Sequence, residues 1–196
     1  MSSTFESTTA LQNTLQRLRD SAEFKQILGE VQRGTRVISI SGLVAGAARA
    51  LAVAALQRDT GKTFAVVMQS SRELEPWERD LKFWYCALSG KESCDTEVLV
   101  LPASEGDPYA GVSPHAQTLE QRALALWRLR KHSQDFVLLT ARALARKTVG
   151  PAAIEEAGAV LKRDQDVSPE DLVEKLLATG YMREDPVGSI GEFSIR

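Results

Sequence analysis

Residues 37–56 read Val37-Ile-Ser-Ile-Ser-Gly42-Leu-Val-Ala-Gly46-Ala-Ala-Arg49-Ala-Leu-Ala-Val-Ala-Ala-Leu56, an apolar run, a glycine turn and an Ala/Leu-rich helix. Phosphate-binding loops occupy such a strand–helix junction and require the spacing G-x-x-x-x-G-K-[ST]. Counted from Gly42, the second glycine position falls on Ala47, the lysine position on Ala48 and the Ser/Thr position on Arg49, with the turn's other glycine at Gly46. The lysine would supply a charge for the β- and γ-phosphates, and the hydroxyl a ligand for Mg²⁺. Neither is present, so Gly42, Gly46, Ala48 and Arg49 are expected to form a degenerate nucleotide loop, without ATP and without catalytic residues. An ordinary βα turn that never held a nucleotide fits the same spacing. Gly61-Lys62-Thr63 imitates the end of a phosphate loop, but its first glycine would fall on Leu56, inside a helix. Gly61 is better read as the glycine that closes that helix.

Three other groups could carry chemistry. The loop Glu105-Gly-Asp-Pro108-Tyr109-Ala-Gly-Val-Ser113-Pro114-His115 leads into a helix bearing Arg122. It follows an apolar strand, at the edge where open α/β sheets bind ligands, which makes Tyr109, His115 and Arg122 a possible loop site. No Ser, Cys or second acid stands at a nucleophile's spacing from His115, and Ser113-Pro114 also serves as a helix start. The cations Arg122, Arg128, Arg130, Lys131, Arg142, Arg146 and Lys147 could touch phosphate or form a solvated face. Trp77, Phe83, Trp84 and Tyr85 read as core rather than a stacking platform. Glu192, Phe193 and Arg196 have the composition of a protein-contact patch.

The elements that would position these groups follow from periodicity. A helix is predicted over 9–32, with Leu11, Leu15, Leu18 and Ala22 on one stripe and Phe24, Ile27, Leu28 and Val31 extending it. Strands are predicted at 36–41, 63–68, 97–101 and 135–140, and helices at 46–58, 71–88, 116–131 and 141–147. Continuous apolar strands alternating with helices define an α/β fold, a parallel sheet with helices on both faces. Beyond Pro151 the texture changes to a mixed strand at 160–164, a helix starting at Ser168-Pro169-Glu170-Asp171, and strands at 181–185 and 192–196. The chain therefore divides into an N-terminal amphipathic helix (1–34), an α/β domain (35–155) and the start of a small α+β domain (156–196). The last strand runs to the terminus without a turn, so the chain is expected to be a piece of a longer protein.

The 196 residues carry 24 Lys+Arg against 26 Asp+Glu, a formal charge of −2, so no global basic field points to autonomous nucleic-acid binding. No apolar run reaches the roughly 18 residues of a membrane span. Cys86 and Cys94 are read as free thiols of a reduced compartment, and with two His they match no metal-ligand spacing.

In order and spacing, four segments resemble the N-terminal part of bacterial transcription-repair coupling factors (Mfd). They are Ser41-Gly42-Leu43 with Ala47-Ala-Arg49-Ala-Leu51; Asp107-Pro-Tyr109, Ser113-Pro-His115 and Glu120-Gln-Arg122; Leu176-Leu-Ala-Thr-Gly180-Tyr181; and Gly191-Glu-Phe193-Ser-Ile-Arg196. The resemblance spans about residues 35–196. It implies a helicase-like, UvrB-like α/β domain that has lost its ATP loop, then the beginning of a domain that binds UvrA through Arg196, Phe193 and Glu192. It also implies that ATP, Mg²⁺, RNA polymerase and DNA are handled elsewhere in a cytoplasmic bacterial parent protein. Asp107-Pro108-Tyr109-Ala110 departs from the family's usual Leu-Pro-Tyr-Asp, and the loop after Gly42 is longer by one residue. A DNA-handling module using the basic helices at 122–147, and an unrelated enzyme centred on His115, remain as alternative readings.

Overall fold

The computed structural model of the chain describes residues 11, 13–104, 115–131 and 134–195. These fall into two compact units, one within Met1–Val100 and Gln134–Ala141, the other within Leu101–Ser133 and Arg142–Arg196.

The first unit is built on three strands, β1 (Phe64–Met68), β2 (Val98–Leu101) and β3 (Phe136–Thr140), in the order β1-β3-β2. β1 and β3 are parallel, with Phe64 opposite Phe136 and Met68 opposite Thr140. All five residues of β3 are buried, as its central place requires. Residues 36–41, predicted as a strand, form none. Val37 is 76% and Ile40 49% exposed. The pattern of this segment is strand-like, but the sheet offers it no neighbour, and unpaired backbone satisfies its polar groups in water.

Helices cover the sheet. α1 occupies residues 13–20 and α2 Ala22–Arg33. The single helix predicted over 9–32 is thus broken, because Ser21 is extended and accepts a hydrogen bond from the Phe24 amide at 3.2 Å. This is an N-cap inside a continuous apolar stripe. α3 (Gly46–Thr60) buries Ala50, Leu51 and Ala54 on the face where small side chains let α4 (Leu74–Ser89) approach closely, and Ala55 and Leu56 against Phe24 of α2. Gly61 closes α3 in the left-handed conformation, φ 63°, its amide on the Gln57 carbonyl. A 3₁₀ turn at Ser71–Glu73 precedes α4, locked by the reciprocal Ser70/Glu73 capping box. Leu74, Leu81, Tyr85 and Leu88 form the buried stripe of α4; Trp77 and Trp84 are half-buried beside it. Phe83, expected in the core, is 53% exposed and meets Trp84 only edge-on, at 5.0 Å between ring centroids.

Asp135, just before β3, accepts from Gln57 Nε2 at 2.8 Å and from the Tyr85 hydroxyl. Burial, then the hydrogen bond to Asp135 and its negative charge, push the Tyr85 hydroxyl up from 10.0 to about 12. The fold therefore favours neutral Tyr85. The stability this supplies is whole below pH 10 and is lost as the pH rises towards 12. Of the three tyrosines, one is expected to ionise late in a tyrosinate-absorbance titration, and Tyr85→Phe to delete that step. A single common step at the ordinary tyrosine pKa would show that Tyr85 is not held in this way.

Cys86 and Cys94 are not free thiols. They are joined in a disulfide with Cα atoms 5.9 Å apart. The chain leaves α4 at Gly90 (φ 66°) and doubles back towards β2, which brings the second cysteine beside the last turns of the helix.

The second unit holds α5 (Ala116–Lys131), most of α6 (Ala141–Ala145), α7 (Pro151–Ala157), α8 (Pro169–Ala178), β4 (Met182–Arg183) and β5 (Glu192–Phe193). α7 was not predicted; its start is signalled by Pro151 in the first helical turn after Gly150. Its C-terminal Gly158 lies against the Trp127 ring of α5, so close that a Cβ at 158 would fall 1.9 Å from Trp127 Nε1. The strand predicted at 160–164 is instead a turn, in which the Gln165 amide bonds the Lys162 carbonyl and Asp164 takes φ 62°. Ser168 caps α8 as its sequence promises, accepting from the Asp171 amide at 3.3 Å. β4 and β5 are parallel and only two residues long, with Arg183 opposite Phe193.

Candidate functional site

Gly42 stands in the left-handed region, φ 89°, and turns the chain into α3. The helix begins at Gly46 after Ala45, which offers no side-chain cap. Arg49, at the position where a phosphate loop carries its hydroxyl, reaches back over the turn. Its Nε donates to the Leu43 carbonyl and its Nη2 to the Val44 carbonyl, both at 2.8 Å. A phosphate cradle needs backbone N–H groups directed at the anion. Here two carbonyls of the turn are engaged by a guanidinium from the following helix. A carboxylate completes the arrangement, since a Cβ built on Gly46 would lie 3.9 Å from Asp80 Oδ2. Asp80, paired with Arg79 at 3.0 Å, thus places negative charge beside the positive end of α3 from within the protein. Ala48, where the lysine would stand, is half-buried. The sequence carries no complete phosphate-loop motif at this turn.

Of the three residues of the possible loop site, His115 and Arg122 are among the described residues. Tyr109 lies outside the described residues. His115 is exposed, and its carbonyl accepts from the Thr118 and Leu119 amides, so its visible work is to open α5. Arg122 is buried, and its Nη1 donates to the Pro102 carbonyl at 2.8 Å, pinning α5 to the segment that leaves β2. It is therefore not part of a solvated or phosphate-facing basic surface. Arg130 and Lys131 are likewise engaged, both with Glu155 of α7, at 3.0 and 2.7 Å. The Lys131 hydrogen bond, followed by the charges of both cations, holds the Glu155 carboxyl below its ordinary value. Among the described residues no group of His, Cys, Asp or Glu could hold a metal ion. No helix among them is long and apolar enough to cross a membrane.

The C-terminal segments act locally as one small motif. Thr179 Oγ1 bonds the Lys175 and Leu176 carbonyls, Gly180 takes φ 91°, and the Tyr181 amide reaches Leu176, which ends α8 and starts β4. The Glu192 carboxylate accepts from the Gly188 and Ser189 amides at 2.8 and 2.9 Å. That bond holds the turn before β5 and occupies one face of a residue predicted to meet a partner. Phe193 is half-buried, and its carbonyl accepts from the Glu184 amide. Arg196 lies outside the described residues. Around these elements Tyr181, Met182, Val187, Ile190 and Ile195 are between 41% and 62% exposed.

Sequence reasoning missed Asp80, the reach of Arg49 and the Trp127–Gly158 contact. Only the last left a trace, a glycine at the end of a short helix that begins with Pro151.

Fold and site together define a small α/β protein, its parallel sheet flanked by helices and its first glycine turn closed by its own side chains. No family model matches the chain. It is 32% identical over 182 residues to the transcription-repair-coupling factor of Myxococcus xanthus, and 26% identical over 181 residues to that of Bacillus subtilis. These alignments take in 92% and 91% of this chain but only 15% and 14% of the two relatives. The chain is therefore a distant homologue of bacterial transcription-repair-coupling factors, and it spans about one-seventh of their length.

Proposed function

We propose that this chain is a non-catalytic N-terminal region of a transcription-repair-coupling factor and that it helps to recruit UvrA to polymerase stalled at DNA lesions. The carrying observation is the alignment over 92% of its length at 32% identity. The turn before α3 supports the non-catalytic part: without lysine or hydroxyl, and with Arg49 and Asp80 already in place, the chain neither binds nor hydrolyses ATP. In this reading ATP, Mg²⁺, RNA polymerase and DNA engage other parts of a longer cytoplasmic protein, and the UvrA surface is masked at rest. The UvrA contact comprises Glu192, Phe193 and Arg196, with the exposed apolar side chains around β4 and β5 beside them.

The test is a titration of UvrA with this chain and with a longer version that runs through the rest of the small α+β domain. The longer version is expected to bind, and Arg196→Ala within it to weaken binding by about 1–3 kcal/mol, roughly fivefold to 150-fold. If neither version binds, the recruitment reading fails. Salt-dependent DNA binding by the isolated chain would then favour the DNA-handling alternative.

A further inference from the structure

We propose that Cys86 and Cys94 form a reversible redox staple between the last turns of α4 and the loop that leads into β2, formed and broken by exchange with low-molecular-weight thiols and disulfides. Three observations carry this. The pair is joined in the folded unit. Bonds that do not involve sulfur hold the same bend: Lys82 pairs with Asp95 at 2.6 Å, Lys91 pairs with Glu97, and the Lys91 amide bonds the Cys86 carbonyl at 3.2 Å. Reduction therefore leaves the two thiols side by side, at a high effective concentration for closing again. The two sulfurs are also unequal in access. Cys94 is 2% exposed within the core cluster, whereas Cys86 is half-buried at the rim of α4.

That inequality sets the order of steps. The Cys86 thiolate attacks a small disulfide, forming a mixed disulfide and expelling one thiolate, which takes up a proton. The Cys94 thiolate then attacks Cys86 Sγ and expels the second. Two protein thiols and one small disulfide thus become one protein disulfide and two small thiols, and the reverse sequence opens the staple.

The experiment equilibrates the 196-residue chain with stepped ratios of oxidised to reduced glutathione, quenches in acid, alkylates, and counts free thiols by mass. The folded chain is expected to close its disulfide at a ratio roughly tenfold or more below that needed by the same chain in urea. Cys94→Ser should leave Cys86 as a glutathione adduct, and Cys86→Ser should leave Cys94 unmodified until the chain is unfolded. Equal ratios for folded and unfolded chain, persistence of both thiols, or adducts forming first on Cys94 would each overturn the proposal.

Discussion

Phe136→Ala is expected to destabilise the first unit by about 3–5 kcal/mol, the usual cost of deleting a fully buried aromatic ring. Phe136 has no exposed surface, sits opposite Phe64 in the central strand and meets Tyr85 edge-on at 5.1 Å between centroids. Its loss would open a void between β3 and α4, at the strand that both other strands pair with. It would also remove one wall of the site in which the Tyr85 hydroxyl bonds Asp135. Because a domain's whole stability is about 5–15 kcal/mol, the variant should unfold in much less urea, as followed by far-ultraviolet circular dichroism. A shift worth less than about 1 kcal/mol would mean that the ring is not packed as described.

Gly158→Leu is expected to cost about 3 kcal/mol, the upper end of the ordinary range for overpacking. The backbone of Gly158, at φ −79° and ψ 149°, suits any residue, so the effect is purely one of space. A Cβ there would lie 1.9 and 2.0 Å from two atoms of the Trp127 indole, and neither α5 nor the end of α7 can keep its place around it. The check is a double-mutant cycle. With Trp127→Ala already made, Gly158→Leu should cost far less, since the leucine then fills what the indole vacates. If the penalty is the same in both backgrounds, the clash is not its cause.

The sequence and the structure agree where a single local rule decides. α3, α5 and α8 and the strands β1 to β3 are apolar patterns bounded by Gly, Pro or Ser, and they lie within two residues of their predicted limits. They part where a distant neighbour decides. The run Val37-Ile-Ser-Ile-Ser41 has a strand's alternation but no strand beside it. Ser21 interrupts a stripe that looks continuous because the residues on both sides keep the same face. Arg122 has the sequence context of a surface cation, yet the Pro102 carbonyl, 20 residues away, draws it into the interior. The cysteines are eight residues apart, and only the turn after α4 makes them adjacent. Of the candidate site, the missing lysine and hydroxyl were legible because they are identities at fixed spacing. The carboxylate of Asp80 was not, because it arrives from another helix.

The order of the sheet bears on how the chain is made. β1 and β2 flank β3, and β3 is the last of the three in sequence, at Phe136–Thr140. A nascent chain that has left the ribosome only as far as β2 owns two edge strands with no strand between them to pair with either. Residues 101–133 must be translated before the first unit can complete its sheet, although 100 of its residues are already present. At about 5–20 residues per second, that is a wait of a few seconds during which Val98, Leu99, Met68 and Leu81 have no central strand to pack on. The interval is a window for misassociation during synthesis, and it closes only when the fourth apolar run of the sequence emerges.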